Sequence, residues 1–507
     1  MEGQVLTQTP AEPVRSDFRS TGERRLPDRH GLWYAPFLWS VLACLVLAAV
    51  SAAVLPTVPS YDPWAWISWG REVTDPHLSF AISGGPSWKP LPVLFTMVWA
   101  LFGSTAAPTL WVITARAGGL LGMVAAYLLA SRLVRGPRWA QAAAGLIAAA
   151  GIVITQAWWN EMFRGTSEPM LIATALWAVL AHLDGRRGWA FALGVATSLI
   201  RPEAWPLIVV YAVWLWAKEP RLRVGIVLGL VCIPFFWFVP PWVGSGQPFL
   251  AAVHAKEYNG DLGRHPLFTV LGRGVDIQLL PVLLAGVVAV VFAWFDKPRD
   301  RLLLALAGGT LAWWVIVVGM TLDGYPGLER FYLPAAGMTC VLAGVGIVRL
   351  AGFGARLVPN RRAATLLGLG LTAVLVAITI PFVGGRINQA SAEEHTASQA
   401  VTRLNQMTAA VAAVGGHHGM LPCKSSFAAV NHSVQTALAW KLHVTLGRVG
   451  TSMRHQGVMF VGPHDSIDGI APAIDHRLTQ MQFMTQVGAW KIYRVTAPGA
   501  DTRCVGG

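Results

Sequence analysis

Charged side chains are scarce in this sequence of 507 residues: Asp, Glu, Lys and Arg make up 13%, about half the share of a soluble domain. Hydrophobic residues reach 54%, and the mean hydropathy is +0.50. The shortage of charge excludes an ordinary soluble protein and indicates a polytopic membrane protein. Its net charge of +13 then follows the excess of Lys and Arg in cytoplasmic loops, so nucleic acid is not an expected partner.

Cysteine is also rare, with 5 residues and no Cys-x-x-Cys spacing, so no metal centre of that kind is predicted. Cys44, Cys232 and Cys340 fall in apolar segments, where cysteine behaves as a small buried hydrophobe. Cys423 and Cys504 are the two cysteines of the polar C-terminal part. If that part is extracytoplasmic, they are expected to form a disulfide.

Long apolar segments are what the sequence does contain. Eleven of them predict membrane-spanning helices, at residues 35–55, 108–131, 139–158, 168–184, 188–200, 204–217, 224–242, 279–295, 302–321, 331–348 and 364–384. Residues 91–102 are too short to cross and predict a helix lying in the interface. Residues 1–30 are polar and predict a disordered cytoplasmic tail.

The distribution of Lys and Arg predicts the orientation. With the N-terminus in the cytoplasm, the inner segments carry 20 of these residues and the outer segments before residue 385 carry 8. Residues 31–385 would then form a membrane domain whose first outer loop is 57–107. Residues 386–507 would form a small extracytoplasmic α/β domain, with a helix at 392–414 and strands at 457–462 and 488–495. We expect the plasma membrane as the location.

The first outer loop contains an unusual stretch, Tyr61 to Pro90, with an acid, Asp62, followed by several Trp residues. Trp favours the headgroup level, where its ring is half buried and its N–H is hydrated. The stretch therefore predicts a loop lying on the membrane with a carboxylate near the surface. The alternative is a simple aromatic belt, with Asp62 as a helix N-cap before Pro63.

Mixed polar groups gather at the predicted outer ends of the segments, whereas the inner loops carry mainly Arg and Lys. Charges near membrane depth are costly, so they are candidate functional groups. The candidates are Asp62, Trp88, Lys89, Arg164, Glu168, Arg201, Glu203, Tyr325 and Arg330. Arg and Lys can hold a phosphate, a carboxylate can accept a proton, and aromatic faces suit sugar rings. Together they predict one outward-facing cavity for a lipid-linked phosphosugar.

This arrangement resembles the GT-C superfamily of integral membrane glycosyltransferases, which includes actinobacterial cell-wall arabinofuranosyl- and mannosyltransferases. The resemblance covers about residues 35–385. It rests on Asp62 after the first segment, Glu168 in Arg-Gly-Thr-Ser-Glu, the Arg201-Pro202-Glu203 step, and Arg330 before Phe-Tyr-Leu-Pro. It implies a polyprenyl-phosphate sugar as donor and a glycan or lipid-linked molecule as acceptor.

The resemblance also implies roles. Asp62 would be the general base, and Glu168 a second acid that binds hydroxyl groups of the acceptor or sugar. Lys89, Arg201 and Arg330 would hold the phosphate. Pro63 follows Asp62 where several families have a second acid, so a divalent cation is left open as a cofactor and no other is expected.

Several of these groups could instead have structural roles. Arg116 could brace the first loop, and Glu203 could be a helix N-terminal acid. His254 and His265 could be solvated loop residues. Arg330 could pair with its neighbour Glu329 or with Asp323.

The predicted function is therefore an inverting glycosyltransferase of cell-wall or other extracytoplasmic glycans. Its C-terminal domain would bind glycan or guide the acceptor. A transporter or flippase for a lipid-linked or anionic solute is the alternative, but it predicts mid-membrane charges and an internal repeat; the sequence has few such charges and no repeat. A non-catalytic scaffold for cell-wall assembly is a third interpretation.

Overall fold

A computed structural model describes residues 34–257, 261–355, 360–499 and 503–506. The predicted cytoplasmic tail, residues 1–30, lies outside the described residues.

The N-terminal three quarters of the described chain are helical. The helices are α1 Tyr34–Val54, α2 Tyr61–Thr74, α3 Pro90–Ala100, α4 Ala106–Leu133, α5 Arg138–Val153, α6 Trp158–Arg164, α7 Glu168–Leu183, α8 Arg187–Ile200, α9 Trp205–Lys218, α10 Arg223–Ser245, α11 Leu250–Glu257, α12 Pro266–Asp276, α13 Leu280–Phe295, α14 Arg301–Leu322, α15 Leu333–Ala355 and α16 Arg361–Ala377. The remaining helices are α17 Ile380–Ala413, α18 Gly416–Met420 and α19 Gln435–Lys441.

Each of the eleven predicted segments contains a helix, but several of these helices are too short to cross a membrane alone. By length and composition, 5 of the described helices could cross a membrane, or up to 8 spans if each of three bent helix pairs crosses as one. The helices α7, α8 and α9 have 16, 14 and 14 residues. At about 1.5 Å per residue they are shorter than a hydrocarbon core of about 30 Å. By length and composition, the described helices account for up to 8 of the eleven predicted crossings, and the count of eleven stays a prediction.

Small residues bring the helices together around α15, which packs against α4, α5, α13, α14 and α16. A Cβ at Gly344 would lie 2.3 Å from the Ala144 carbonyl oxygen, and one at Gly346 would lie 1.9 Å from that of Ala285. Only glycine permits these approaches, as is typical of helix packing in membranes. Large apolar side chains of α1, α10 and α14 face outward instead, which suits contact with lipid.

The first outer loop is more ordered than predicted, because 57–107 contains the helices α2 and α3. Trp64, Trp66, Trp69 and Trp88 are between 0% and 4% exposed, so their rings pack inside the protein and are not half buried as predicted. The helix α19 of the C-terminal domain covers α2, and Trp64 lies 6.2 Å from Trp440 between ring centres.

Arg71 joins α2 to the end of α19. Its guanidinium donates hydrogen bonds to the carbonyl oxygens of Trp440 and Val444, at 3.0 and 3.2 Å, and lies 4.1 Å from the Trp440 ring. The last carbonyls of a helix have no partner within it, so a buried cation there is favourable. The first loop and the C-terminal domain therefore pack as one unit.

The C-terminal part is a small α/β domain, as predicted. Its strands are β1 Phe427–Ala429, β2 Val449–Gly450, β3 Ser452–Met453, β4 Gly457–Val461, β5 Ala473–Ile474, β6 Gln480–Val487 and β7 Trp490–Thr496. Five strands form a mixed sheet in the order β2-β1-β4-β7-β6, in which β1 pairs parallel with β2 and β4, and β7 pairs antiparallel with β4 and β6. The strands β4 and β7 correspond to the predicted pair, and β6 was not predicted.

Two features tie this domain together. The helix predicted at 392–414 is the second half of α17, a single helix of 34 residues that passes through the predicted domain boundary at 385. The sulfur atoms of Cys423 and Cys504 are bonded, with their Cα atoms 5.2 Å apart, within the range a disulfide requires. The bond holds the C-terminal end of the chain beside the sheet.

Candidate active site

Asp62 lies in the first turn of α2. The helix begins at Tyr61 after an extended Ser60, whose N–H donates to the Arg164 carbonyl oxygen at 3.0 Å. Asp62 is not the N-cap, and its carboxylate accepts a hydrogen bond from Arg330 at 3.1 Å. A negative charge is also favourable at the first turn of a helix.

Arg330 belongs to a short 3₁₀ helix, Glu329–Tyr332, immediately before α15. The interpretation that it pairs with Glu329 or Asp323 is wrong. Glu329 accepts from the Gln156 side chain at 2.9 Å, and Asp323 pairs with Lys256 at 2.7 Å. Arg330 is therefore directed to Asp62, which lies 268 positions away in the sequence.

A second, buried set of charges lies beside this pair. Glu168, which is 0% exposed, accepts from Lys89 at 3.2 Å and from Arg201 at 2.6 Å through the same oxygen, Oε1. Arg201 also donates to Glu203 at 3.1 Å and stacks 3.9 Å from the ring centre of Phe331. Removing one member of a buried ion pair typically costs about 3–5 kcal/mol, so these four charges depend on one another.

The helix ends that carry these four charged residues explain why their side chains meet. Lys89 precedes Pro90, which begins α3, and Glu168 begins α7. Arg201 is extended at the end of α8, with Pro202 beginning the 3₁₀ helix that contains Glu203. Each group thus lies at a helix end, where the backbone changes direction and polar side chains can meet.

Burial lowers the pKa of the Lys89 ammonium to about 8, although Glu168 opposes this effect. The Lys89 ammonium also lies 5.0 Å from the ring centre of Trp66, which gives it a cation–π contact. Among the residues described, the Nε atoms of Arg201 and Arg330 are buried without a hydrogen-bond partner. Each of these two guanidiniums therefore has one buried donor that no described residue satisfies.

These groups face a cavity of about 710 Å³ between the membrane helices and the C-terminal domain. Seven of the predicted site residues line it: Asp62, Lys89, Arg164, Arg201, Glu203, Tyr325 and Arg330. Four of them, Lys89, Arg164, Arg201 and Arg330, form what we call the cation cluster. Apolar side chains of Trp205, Trp237, Phe238 and Phe249 line another part of the same cavity.

Two predicted site residues do not line the cavity. Trp88 is buried between Trp69 and Phe80, and its ring N–H donates to the Phe236 carbonyl oxygen at 2.9 Å. It supports the loop rather than offering a face to a sugar. Glu168 lies behind Lys89 and Arg201, so the interpretation of it as a contact for acceptor or sugar hydroxyls is replaced by that of an anchor for two cations.

Arg116, His254 and His265 differ in their relation to the cavity. Arg116 has the bracing role: it donates to the carbonyl oxygens of Pro56 at 2.6 Å and Met162 at 3.1 Å. His254 lines the cavity, with its Nδ1 3.2 Å from the Pro86 carbonyl oxygen, whereas His265 is not among the lining residues and contacts Phe268.

The sequence did not predict the wall that the C-terminal domain contributes. Arg403 of α17, His432 and Asp468 also line the cavity, and we call these three the C-terminal wall. His432 stacks on Tyr61, with ring centres 4.9 Å apart. No local motif marks these residues, because each is brought to the cavity only by the packing of two distant parts of the chain.

A metal centre has no candidate in the described ranges: no group of three or more His, Cys, Asp and Glu side chains there could hold a metal ion. The divalent cation left open by the sequence therefore has no assigned ligands. Positive charge at the cavity is supplied by the cation cluster.

Comparison with known proteins identifies the fold. No family model matches the chain, and no curated protein matches its sequence. The structure of ArnT from Cupriavidus metallidurans bound to undecaprenyl phosphate matches with a TM-score of 0.56 and 14% identity, covering 92% of this chain and 99% of that one. The apo structure of the same protein gives a TM-score of 0.52 at 14% identity, covering 91% and 98%. The chain has the GT-C fold predicted from its motifs.

Proposed function

We propose that this chain is a membrane glycosyltransferase that transfers a sugar from a polyprenyl-phosphate donor to an extracytoplasmic acceptor. The observation that carries the proposal is that Asp62, paired with Arg330, and the four members of the cation cluster line a single cavity. The fold supports it, because ArnT has this fold and binds undecaprenyl phosphate. We propose a cell-wall glycan or a lipid-linked sugar at the plasma membrane as the acceptor.

The phosphate and the isoprenoid chain of the donor would bind to different residues of the cavity. Its phosphate would be held by Lys89, Arg201 and Arg330, with Arg164 adding further positive charge. Arg can bind a phosphate through two parallel hydrogen bonds, and Lys acts as a point charge. The isoprenoid chain would lie along Trp205, Trp237, Phe238 and Phe249.

The chemistry follows from one base and one leaving phosphate. Asp62 would accept the proton of an acceptor hydroxyl as its oxygen attacks the anomeric carbon. The bond between that carbon and the phosphate oxygen breaks, and polyprenyl phosphate leaves with its charge held by the cation cluster. Attack opposite the leaving group inverts the anomeric centre.

The pairing of Asp62 with Arg330 suggests the order of binding, with the donor before the acceptor. Before the donor binds, Arg330 holds the carboxylate in place at 3.1 Å. A bound phosphate would compete for the same guanidinium, which would free an oxygen of Asp62 for the acceptor hydroxyl. Donor binding would in this way prepare the base.

The test is a transfer assay in membranes that contain the chain, with a panel of radiolabelled polyprenyl-phosphate sugars. We expect one donor to yield a labelled glycosidic product of inverted configuration, and Asp62→Asn to lose that product. A transporter or flippase would give no glycosidic product with any donor and would move labelled lipid between leaflets, which would contradict the proposal.

A further inference from the structure

The C-terminal wall contains a carboxylate whose hydrogen-bonding capacity is unused. Asp468 lines the cavity and is 0% exposed, yet neither of its carboxylate oxygens accepts a hydrogen bond from the residues that the structure describes. The nearest cation is Arg403, whose Nη1 lies 3.6 Å from Oδ2, and this Nη1 also lacks a hydrogen-bond partner there. A buried carboxylate in this state is costly.

The backbone around Asp468, in contrast, is fully engaged. Asp465 accepts hydrogen bonds from the N–H groups of Ile467 and Asp468, both at 2.9 Å. The Asp468 carbonyl oxygen accepts from the Ser433 N–H at 3.1 Å. These bonds hold Asp468 in the wall without using its side chain, so the turn itself does not explain the carboxylate.

The C-terminal wall also lies next to the proposed base. His432 stacks on Tyr61, the Tyr61 hydroxyl donates to Gln435 at 3.0 Å, and Thr436 donates to the Tyr61 carbonyl oxygen at 2.9 Å. Tyr61 immediately precedes Asp62. Burial lowers the pKa of His432, and the charge of Asp62 opposes this shift. His432 thus joins the C-terminal wall to the segment that carries the proposed base.

The charges of the C-terminal wall select the class of ligand. An anionic group would be repelled by Asp468 and by Asp465, which lies 3.5 Å from Arg403. A cationic group would be repelled by Arg403. A neutral hydroxyl satisfies both, because it donates to the carboxylate and accepts from the guanidinium.

We propose that Asp468 and Arg403 bind hydroxyl groups of the acceptor, and that the acceptor is a neutral, polyhydroxylated glycan. This inference rests on the proposed glycosyltransferase function. It assigns the two substrates to different sets of lining residues, with the donor phosphate at the cation cluster and the acceptor at the C-terminal wall. Burial, together with Asp465, raises the pKa of Asp468 to about 6, which agrees with a carboxylate that lacks donors.

The test uses the full chain in membranes, a donor that it accepts, and three matched sets of octyl glycosides: neutral, amino-substituted and phosphorylated. We expect the neutral set to give the lowest KM. Asp468→Asn should raise that KM by about tenfold or more, because a charge-assisted hydrogen bond is lost. The kcat at saturating glycoside, the donor Kd and the slow transfer of sugar to water should stay within about twofold.

Asp475→Asn is the matched control, since Asp475 is in the same domain but pairs with Arg477 outside the cavity. It should leave the KM unchanged. The unfolding temperature of the Asp468→Asn variant should equal or exceed that of the wild type, because a costly buried charge is removed.

The inference would be overturned by an unchanged KM in the Asp468→Asn variant, by a lower unfolding temperature for it, or by a preference of the wild type for charged glycosides. Transfer to water with no transfer to any neutral glycoside would also overturn it. If the wild type cleaves no polyprenyl-phosphate sugar at all, it is the proposed function that fails.

Discussion

Replacing Asp62 with Asn is expected to reduce sugar transfer by about 10²–10⁴-fold while leaving the donor bound. Asn keeps the size of the side chain and can still accept a hydrogen bond from Arg330, but it cannot take a proton. This range corresponds to about 3–5 kcal/mol of transition-state free energy.

The structure offers a competing explanation whose magnitude is smaller. Asp62 also anchors Arg330, and the two side chains are 18% and 25% exposed. A pair with this access to solvent contributes about 1 kcal/mol, which is roughly fivefold in a rate or an affinity. A fall in the rate of sugar transfer of more than about a hundredfold therefore indicates that proton transfer is lost. A fall of less than about tenfold indicates only that the ion pair with Arg330 is lost.

The assay is a single-turnover measurement with saturating labelled donor, together with donor binding by the same membranes. Asp323→Asn is the control, because Asp323 also pairs with a cation, Lys256 at 2.7 Å, but is more exposed than Asp62 and does not line the cavity. It should transfer sugar at close to the wild-type rate. Transfer by the Asp62→Asn variant within tenfold of the wild type would refute the assignment of Asp62 as the base.

Three further predictions concern charge, covalent structure and topology. Burial lowers the pKa of Lys89 to about 8, so its positive charge, and with it the donor affinity, should fall as the pH rises through about 8. The Lys89→Arg variant should lose this pH dependence. A donor affinity in the wild type that does not change over this pH range would contradict the prediction. Replacing Cys423 and Cys504, 81 positions apart, with Ser should lower the free energy of unfolding of the C-terminal domain by about 2–4 kcal/mol, and two free thiols in unreduced peptides of the wild type would rule out the bond. A reporter active only outside the cytoplasm should be active when fused after Gly385 and silent after Arg187, and the reverse pattern would invert the predicted orientation.

The helices were predictable because their signal is local. Each predicted apolar segment is helical, and the ends that carry Lys89, Glu168 and Arg201 coincide with observed helix ends. Pro90, Pro169 and Pro202 mark those ends in the sequence, since proline is tolerated in the first turn of a helix and not in its interior.

The partners within the site were not predictable in the same way. Arg330 has an acid beside it in the sequence, Glu329, but the last turn before α15 directs it to Asp62 instead. The Trp residues of α2 were expected at the headgroup level because nothing nearby in the chain indicates a cover. For Trp64 that cover is α19, which begins more than 360 positions later, whereas Trp66 and Trp69 pack on Trp111 and Trp88. Such pairings depend on tertiary packing, which composition and periodicity do not record.

The helix α17 has a mechanical consequence. It runs for 34 residues without a break, a length of about 51 Å, and meets α16 at a bend of 51°. A rigid helix thus ends inside the C-terminal domain, where Arg403 lines the cavity and Met407 is fully buried. The same domain is held a second time by Arg71 of α2, which binds the end of α19. Two separate attachments, one helical and one polar, therefore fix the C-terminal wall over the membrane helices, as two struts fix a roof.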